Sequence, residues 1–376
     1  MKHTITWIIM ALALGQQAFS TTSEKMFYRI VAETNTAIIG WTAAQDLTWT
    51  NSATNITYAI QATSDLGNGL TSFWGAVETG LATNLIMTSK VPKPETPFPP
   101  GNSTVLIPAG SYLMGNFYAT DPLNDYEYPP RPIYTRPFYM DSTEITKGKW
   151  DEVVNWATNK GYVFGDTATG TDTNYPVTSV SWYDCVKWCN ARSEKEGLTP
   201  VYFTNETWTA IYREGALDLS ATNVNWNGNG YRLPTEAEWE KAARGGLYQN
   251  YFPWPSPGGE ILGATNYLDE TKANYSGSGT TNVSSFAPNA YGLYDMAGNV
   301  REWCWDFWGL YKDFSDPTGP TNGTERVTRG GAWSDSSTSL SLRLRCSARD
   351  ASMTADRIYD YNENDSLGFR CVRSCP

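Results

Sequence analysis

The stretch VPKPETPFPPG, residues 91–101, constrains the fold of this chain more than any other feature. Five of its eleven residues are proline. Each proline holds φ at about −65° and lacks a backbone donor, so neither a helix nor the interior of a sheet can run through it. Such a segment is extended and polyproline-like. It divides the chain into a unit at 21–90, a linker at 91–104 and a larger domain at 105–376.

The first twenty residues, MKHTITWIIMALALGQQAFS, have the layout of an export signal. Lys2 and His3 are a short basic start, the apolar run from Ile5 to Leu14 is too short to span a bilayer, and Ala18-Phe19-Ser20 is a small-x-small cleavage site. Cleavage near Ser20 predicts a secreted, periplasmic or cell-surface protein. No further apolar run is long enough for a transmembrane anchor. Residues 21–90 carry β-rich runs with partial alternation, FYRIVAET and ITYAIQATSD, and the aromatic runs LTWTN and LTSFWGAV. They predict a small all-β domain, fibronectin-like or similar.

Beyond the linker the pattern is irregular. The chain holds 32 glycines and 21 prolines with 14% aromatic residues, which favours short strands and long turns around an aromatic core. Two helices stand out. KGKWDEVVNWATNKG follows Thr146, a good N-cap, and stops at Gly161. SWYDCVKWCNARSEKEG places Trp182, Cys185, Cys189 and Ala191 near one face. In RLPTEAEWE, Thr235 is spaced to cap a third, short helix, with Glu236 and Glu238 in its first turn. Arg232 and Arg244 are expected to bind carbonyls or carboxylates that hold loops together.

The charged residues exclude several functions. The balance of 28 Lys+Arg against 39 Asp+Glu gives −11, which disfavours nucleic acid and suits a divalent cation. The one histidine, His3, lies in the export signal, so the mature chain has none. That removes Ser-His-Asp and Cys-His catalysis and the histidine sites of zinc hydrolases and non-haem iron oxygenases. Six cysteines remain, at 185, 189, 304, 346, 371 and 375, enough for three bridges in 15 connectivities. No Cys-x-x-Cys pair marks a zinc site.

Several ordered segments carry a family resemblance. They are IPAGSYLMGN from Ile107, FYMDSTEITKGKW from Phe138, YPVTSVSWYDCVKWCN from Tyr175, YRLPTEAEWEKAARGG from Tyr231 and NAYGLYDMAGNVREW from Asn289. RGGAW near Arg329 and LGFR near Leu367 complete the order. Together, over roughly residues 105–373, the chain resembles the formylglycine-generating enzyme (sulfatase-modifying factor) family. The resemblance implies an α+β, C-type-lectin-like fold low in regular structure, preceded here by the small all-β domain.

In DMAGNVREW, Asp295, Gly298, Val300 and Glu302 offer two carboxylates and two carbonyls, an all-oxygen set suited to Ca²⁺. The resemblance implies calcium on these four positions, in a structural role. It implies a second calcium near Asn274 and the Tyr275 carbonyl, where this sequence has serine in place of the wanted carboxylate. The alternative for Asp295 and Glu302 is an ordinary loop hydrogen-bond network.

The family's enzymes oxidise a sulfatase cysteine to formylglycine with two cysteines that bind copper. Their positions fall near Asp335 and Ser341, and no cysteine occurs from Trp305 to Arg345. Oxygen ligands are poor substitutes for the thiolates that Cu(I) needs, so copper is not expected and no catalytic residue is assigned. The resemblance also implies a disulfide between Cys189 and Cys346. What remains is the segment 334–366, rich in Ser, Asp, Asn, Thr and Tyr between RGGAW and LGFR. Side chains of this kind bind varied partners at low entropic cost. They define an expected binding face with Trp333, Asp335, Tyr359, Tyr361 and Asn364, its partner a protein or other surface ligand. The pattern is similar to a subgroup of the same fold, binding proteins diversified by retroelements. Two functions follow: a non-catalytic recognition protein, or an oxidoreductase acting on cysteine or another side chain through unrecognised ligands. A solvated loop with no partner is the plain alternative for 334–366.

Overall fold

The computed structural model describes strands between residues 27 and 90. It also describes residues 104–375 apart from 118–126, 166, 248–249, 256–267, 311–314, 336–340 and 356–365. Residues 1–20, expected to be an export signal, residues 91–103 of the expected linker at 91–104, and Tyr359, Tyr361 and Asn364 lie outside the described residues.

In the first part, six strands pair into two three-stranded antiparallel sheets. These are β1 (Phe27–Ala32), β2 (Thr36–Trp41), β3 (Asp46–Asn51), β4 (Ile56–Thr63), β5 (Gly75–Ala82) and β6 (Ile86–Lys90). The sheet orders are β1-β4-β5 and β2-β3-β6.

The second part mixes short strands with three α-helices. β7 (Thr104–Ile107), β8 (Gly110–Met114), β9 (Arg131–Thr135) and β10 (Phe138–Asp141) lead into α1 (Lys147–Ala157) and α2 (Trp182–Lys195). β11 (Tyr231–Arg232), α3 (Glu236–Arg244), β12 (Arg301–Phe307), β13 (Glu325–Arg329), β14 (Asp350–Thr354), β15 (Leu367–Gly368) and β16 (Val372–Ser374) follow. One sheet runs β11-β16-β10-β7, a second runs β14-β13-β12-β15, and β8 pairs with β9. In the second sheet β15 lies parallel to β12, with Arg301 opposite Leu367. Among the described residues no helix is long and apolar enough to cross a membrane.

The helix ends follow from local chemistry. The Thr146 and Ser181 side chains accept the Lys149 and Asp184 amides, and Gly161 closes the first segment at φ 76°. Thr235 and Glu238 form a reciprocal capping box at α3.

Two buried clusters make most of the core. In the first, Trp150 stacks on Trp188 at 5.9 Å and Phe369 meets both rings edge-on. The second gathers Trp239, Ala242 and Ala243 of α3 with Ile107, Phe138, Met140, Cys304, Val327 and Cys346. Buried arginines knit the loops between them. Arg192 forks onto Asp141 at 2.6 and 3.0 Å, and Arg232 onto Glu238 at 2.6 and 2.7 Å. Arg244 joins Glu240 to the Gly115 carbonyl. A loop-rich interior leaves carbonyls and carboxylates without ladder partners, and planar guanidinium forks satisfy several at once. Arg326 is the exception, with no carboxylate in pairing distance among the described residues. Its guanidinium lies 3.8 Å from the Trp182 ring centre and 3.4 Å from that of Phe307, and donates to the Trp305 and Leu219 carbonyls. Burial pulls its pKa down to about 9, so it stays charged at neutral pH.

Candidate functional site

The loop after β13 turns on Gly330 and Gly331, at φ 96° and 69°. A Cβ at Gly330 would sit 3.2 Å from the Trp239 ring, and one at Gly331 would sit 2.9 Å from the Leu344 side chain and 3.0 Å from an Asp335 carboxylate oxygen. Glycine is therefore required twice, by conformation and by space. The turn delivers Asp335, where the family resemblance places the first thiolate, into the interior.

Asp335, expected on the binding face, is 1% exposed. Its Oδ1 accepts from Arg301 Nη2 at 2.7 Å and its Oδ2 from the Ala332 amide at 2.8 Å. Its backbone carbonyl accepts from the Ser276 amide at 2.9 Å. The physical reason is the neighbouring buried guanidinium on β12, which requires a carboxylate partner. Arg301 also donates from Nη1 to Ser366 Oγ at 3.2 Å, and its Nε lies 3.7 Å from Asp350 Oδ2. Arg343 reaches the same Asp350 oxygen at 3.3 Å. Trp333 is half-buried, its amide on the Asn299 carbonyl and its carbonyl accepting from Gly277. The Ser341 backbone lies in the short 3₁₀ turn Ser341–Leu344.

The acidic turn sits beside this loop. Asp295, Gly298 and Asn299 all have left-handed backbones, at φ 56°, 79° and 60°. The Gly298 amide donates to the Gly330 carbonyl at 2.9 Å. Glu302 is fully buried and accepts from Arg370 Nη2 at 2.6 Å, Arg370 Nε at 2.7 Å and Trp239 Nε1 at 2.7 Å. Glu144 accepts from Asn299 Nδ2 at 2.6 Å and the Val300 amide at 3.0 Å. Burial first, then the charges of Asp295 and Glu302, push the Glu144 pKa well up. Burial likewise lifts Asp295 to about 6. Of the three acids only Glu302 is hydrogen-bonded to Arg370, and burial favours the neutral forms of Glu144 and Asp295. The resemblance implies a hard cation on Asp295, Glu302 and the Gly298 and Val300 carbonyls; here both Glu302 oxygens are engaged by Arg370 and Trp239. Among the described residues no three acidic, histidine or cysteine side chains converge on one metal-sized point. Asn274 joins this first turn: its carbonyl accepts from the Asn299 amide, and its amide nitrogen is committed to the Gly279 carbonyl and Asn299 Oδ1. Tyr275 packs in a small cluster with Phe252, Ala297 and Leu344.

The cysteines differ from expectation. Cys189 Sγ lies 3.5 Å from Cys371 Sγ, while Cys346 belongs to the other core cluster together with Cys304. The face of α2 that carries Cys189 packs beside the chain entering β16, and Cys346 lies beside α3, near Arg244 and Glu240. Burial pushes the Cys346 thiol up to about 12 and raises those of Cys304 and Cys371.

Sequence reasoning missed Arg301 and Glu144, and took Asp350 and Ser366 only as part of the segment 334–366. The available signal was weak: in REWCWDF the charged Arg301, Glu302 and Asp306 stand among Trp, Cys and Phe, so any that is buried demands a partner elsewhere in the chain.

The fold is that of the formylglycine-generating-enzyme class, an α+β scaffold. The chain belongs to that family: residues 88–375 match the sulfatase-modifying factor enzyme 1-like domain. The formylglycine-generating enzyme of Bos taurus is 33% identical over 309 residues, 73% of this chain and 75% of the bovine protein. Two solved structures are similar. Treponema denticola variable protein 1 has a TM-score of 0.54 and 28% identity, covering 72% of this chain and 95% of its own. CarF has a TM-score of 0.52 and 26% identity, covering 73% of this chain and 98% of its own.

Proposed function

We propose that this chain is an exported, non-catalytic recognition protein built on the formylglycine-generating-enzyme scaffold. It binds a protein or other surface ligand through the polar and aromatic segment 334–366 and its neighbour Trp333, while Asp295, Gly298, Val300 and Glu302 hold a structural calcium ion. One observation carries the reading. Where the family resemblance calls for the first copper-binding thiolate, Asp335 is buried and both its carboxylate oxygens are engaged, by Arg301 and the Ala332 amide. A hard, committed carboxylate gives Cu(I) nothing to bind. The raised thiol pKa values of Cys304, Cys346 and Cys371 add to this, since the thiol form neither ligates a metal well nor attacks.

The 28% identity to a protein named a variable protein supports carrying variability to residues 334–366 here. The second reading, an oxidoreductase that makes formylglycine, draws on the 33% identity to the bovine enzyme. Competition for Cu(I) against a chromophoric chelator separates the two. The recognition reading expects the protein to take no copper from the chelator. Stoichiometric removal of one Cu(I) would favour the oxidoreductase.

A further inference from the structure

We propose that Trp208 is the stacking platform of a saccharide-binding site, separate from segment 334–366 and independent of how that segment is read. Trp208 stands in the turn 204–210, between α2 and β11. The base of the turn is fixed. Phe203 bridges Ile211, the Thr204 amide donates to the Ala210 carbonyl at 2.8 Å, and the flanking Tyr202 and Tyr212 are fully buried. Asn205 closes the tip. Its Oδ1 accepts from the Thr209 and Ala210 amides at 3.0 and 3.3 Å, and its Nδ2 donates to Thr209 Oγ1 at 2.7 Å.

Two features set the tryptophan apart. Its backbone is left-handed, at φ 56°, a conformation that suits glycine or asparagine and strains a bulky residue. Its side chain is also open to solvent: Trp208 is 43% exposed, and among the described residues no aromatic ring or cation stacks on it. The indole Nε1 donates to the Thr222 carbonyl at 2.9 Å, and Thr222 Oγ1 donates to Glu206 Oε1 at 2.9 Å. The one polar atom of the ring is thus spent on fixing its edge, and what the ring offers outward is its apolar face. The neighbours select the ligand. Thr204, Glu206, Thr207, Thr209 and Thr222 are all exposed and bring hydroxyls and a carboxylate to the same turn. The carbon-bound hydrogens on one face of a sugar ring meet the negative π face, while its hydroxyls exchange hydrogen bonds with such groups. No lysine or arginine occurs from Val201 to Tyr212, so the phosphate of a stacked nucleotide would find no cation there. A protein hot spot would need packed apolar area around the ring, and the turn 204–210 has only Ala210 to add.

The test titrates the isotope-labelled full mature chain with cellotriose, chitotriose and tetramethylammonium, followed by nuclear magnetic resonance. Saturable shifts are expected at the Trp208 indole N–H and at the Thr209 and Ala210 amides with at least one trisaccharide, at a Kd of about 1 mM. W208N suits the left-handed backbone, so it is expected to melt no lower than wild type and to lose about tenfold or more in affinity. W208F keeps a ring and is expected to stay within about fivefold of wild type. No saturable shift with either trisaccharide up to about 20 mM would overturn the proposal, as would undiminished binding by W208N. Saturation by tetramethylammonium alone would also overturn it, making the ring a cation site. Should W208N melt below wild type, W208F decides, because it lacks the indole N–H and keeps the π face: retained binding supports the proposal and lost binding overturns it. None of these readouts involves segment 334–366 or copper, so failure here is distinguishable from failure of the recognition reading.

Discussion

Asp306 is wholly buried, its Oδ2 accepting from the Glu236 amide at 2.7 Å while its Oδ1 has no hydrogen-bond partner among the described residues. Burial, and then the charge of Glu236, lifts its pKa to about 8. The folded protein therefore holds a proton that the unfolded chain releases near the ordinary carboxylate value. Stability from this group is full below about pH 4 and is lost as pH rises through 8. D306N mimics the neutral acid at all pH values. Its denaturation free energy relative to wild type is expected to improve steadily from pH 4 to 8, and parallel pH curves would contradict the assignment. The cysteines make a second prediction at this scale. Under oxidising conditions, peptide mapping without reduction is expected to find Cys189 joined to Cys371, whose sulfur lies 3.5 Å away. A Cys189–Cys346 peptide would contradict the structure. The sequence pointed both α2 cysteines inward correctly, since helical spacing is local. It could not choose between partners 157 and 182 residues away, which is a matter of tertiary packing.

Helix α3 shows which parts of an element can be read ahead of the fold. Its cap, Thr235, and its first-turn acids, Glu236 and Glu238, are neighbours in sequence and were legible in RLPTEAEWE. T235A removes one half of the capping box and is expected to cost about 1 kcal/mol in urea denaturation. An unchanged midpoint and slope would show that the helix is held by packing alone. The partners of the same helix were illegible. Glu236 pairs with Arg349 at 2.6 Å and Arg329 at 2.9 Å, and Glu240 with Arg329 at 2.9 Å, across separations near one hundred residues. Lys241 donates to the Pro108 and Gly110 carbonyls and to Thr135 Oγ1. β12 was opaque for a different reason. All seven of its residues are buried, so polar Arg301, Glu302 and Asp306 show no alternation with apolar neighbours. In such a strand, charged residues announce only that distant partners exist.

At the scale of the whole molecule, a family scaffold is combined with a buried carboxylate, Asp335, that is bonded to Arg301. If calcium occupies the Asp295–Glu302 turn, adding it to chelator-treated protein raises Tm, by the equivalent of about 4 kcal/mol at a thousand times Kd. No shift, with or without chelator, would leave the acids as a hydrogen-bond network alone. If residues 334–366 are the diversified face, copies of the gene from independent isolates will differ mainly there and will keep Arg301, RGGAW and LGFR. Substitutions spread evenly along the chain would count against that. The central claim, recognition without catalysis, is tested most directly by mass spectrometry of a Cys-x-Pro-x-Arg peptide incubated with the purified mature protein, copper, oxygen and reductant. The account predicts that the peptide cysteine stays unchanged while the protein remains folded. Conversion to formylglycine that is abolished by heating the protein would contradict it.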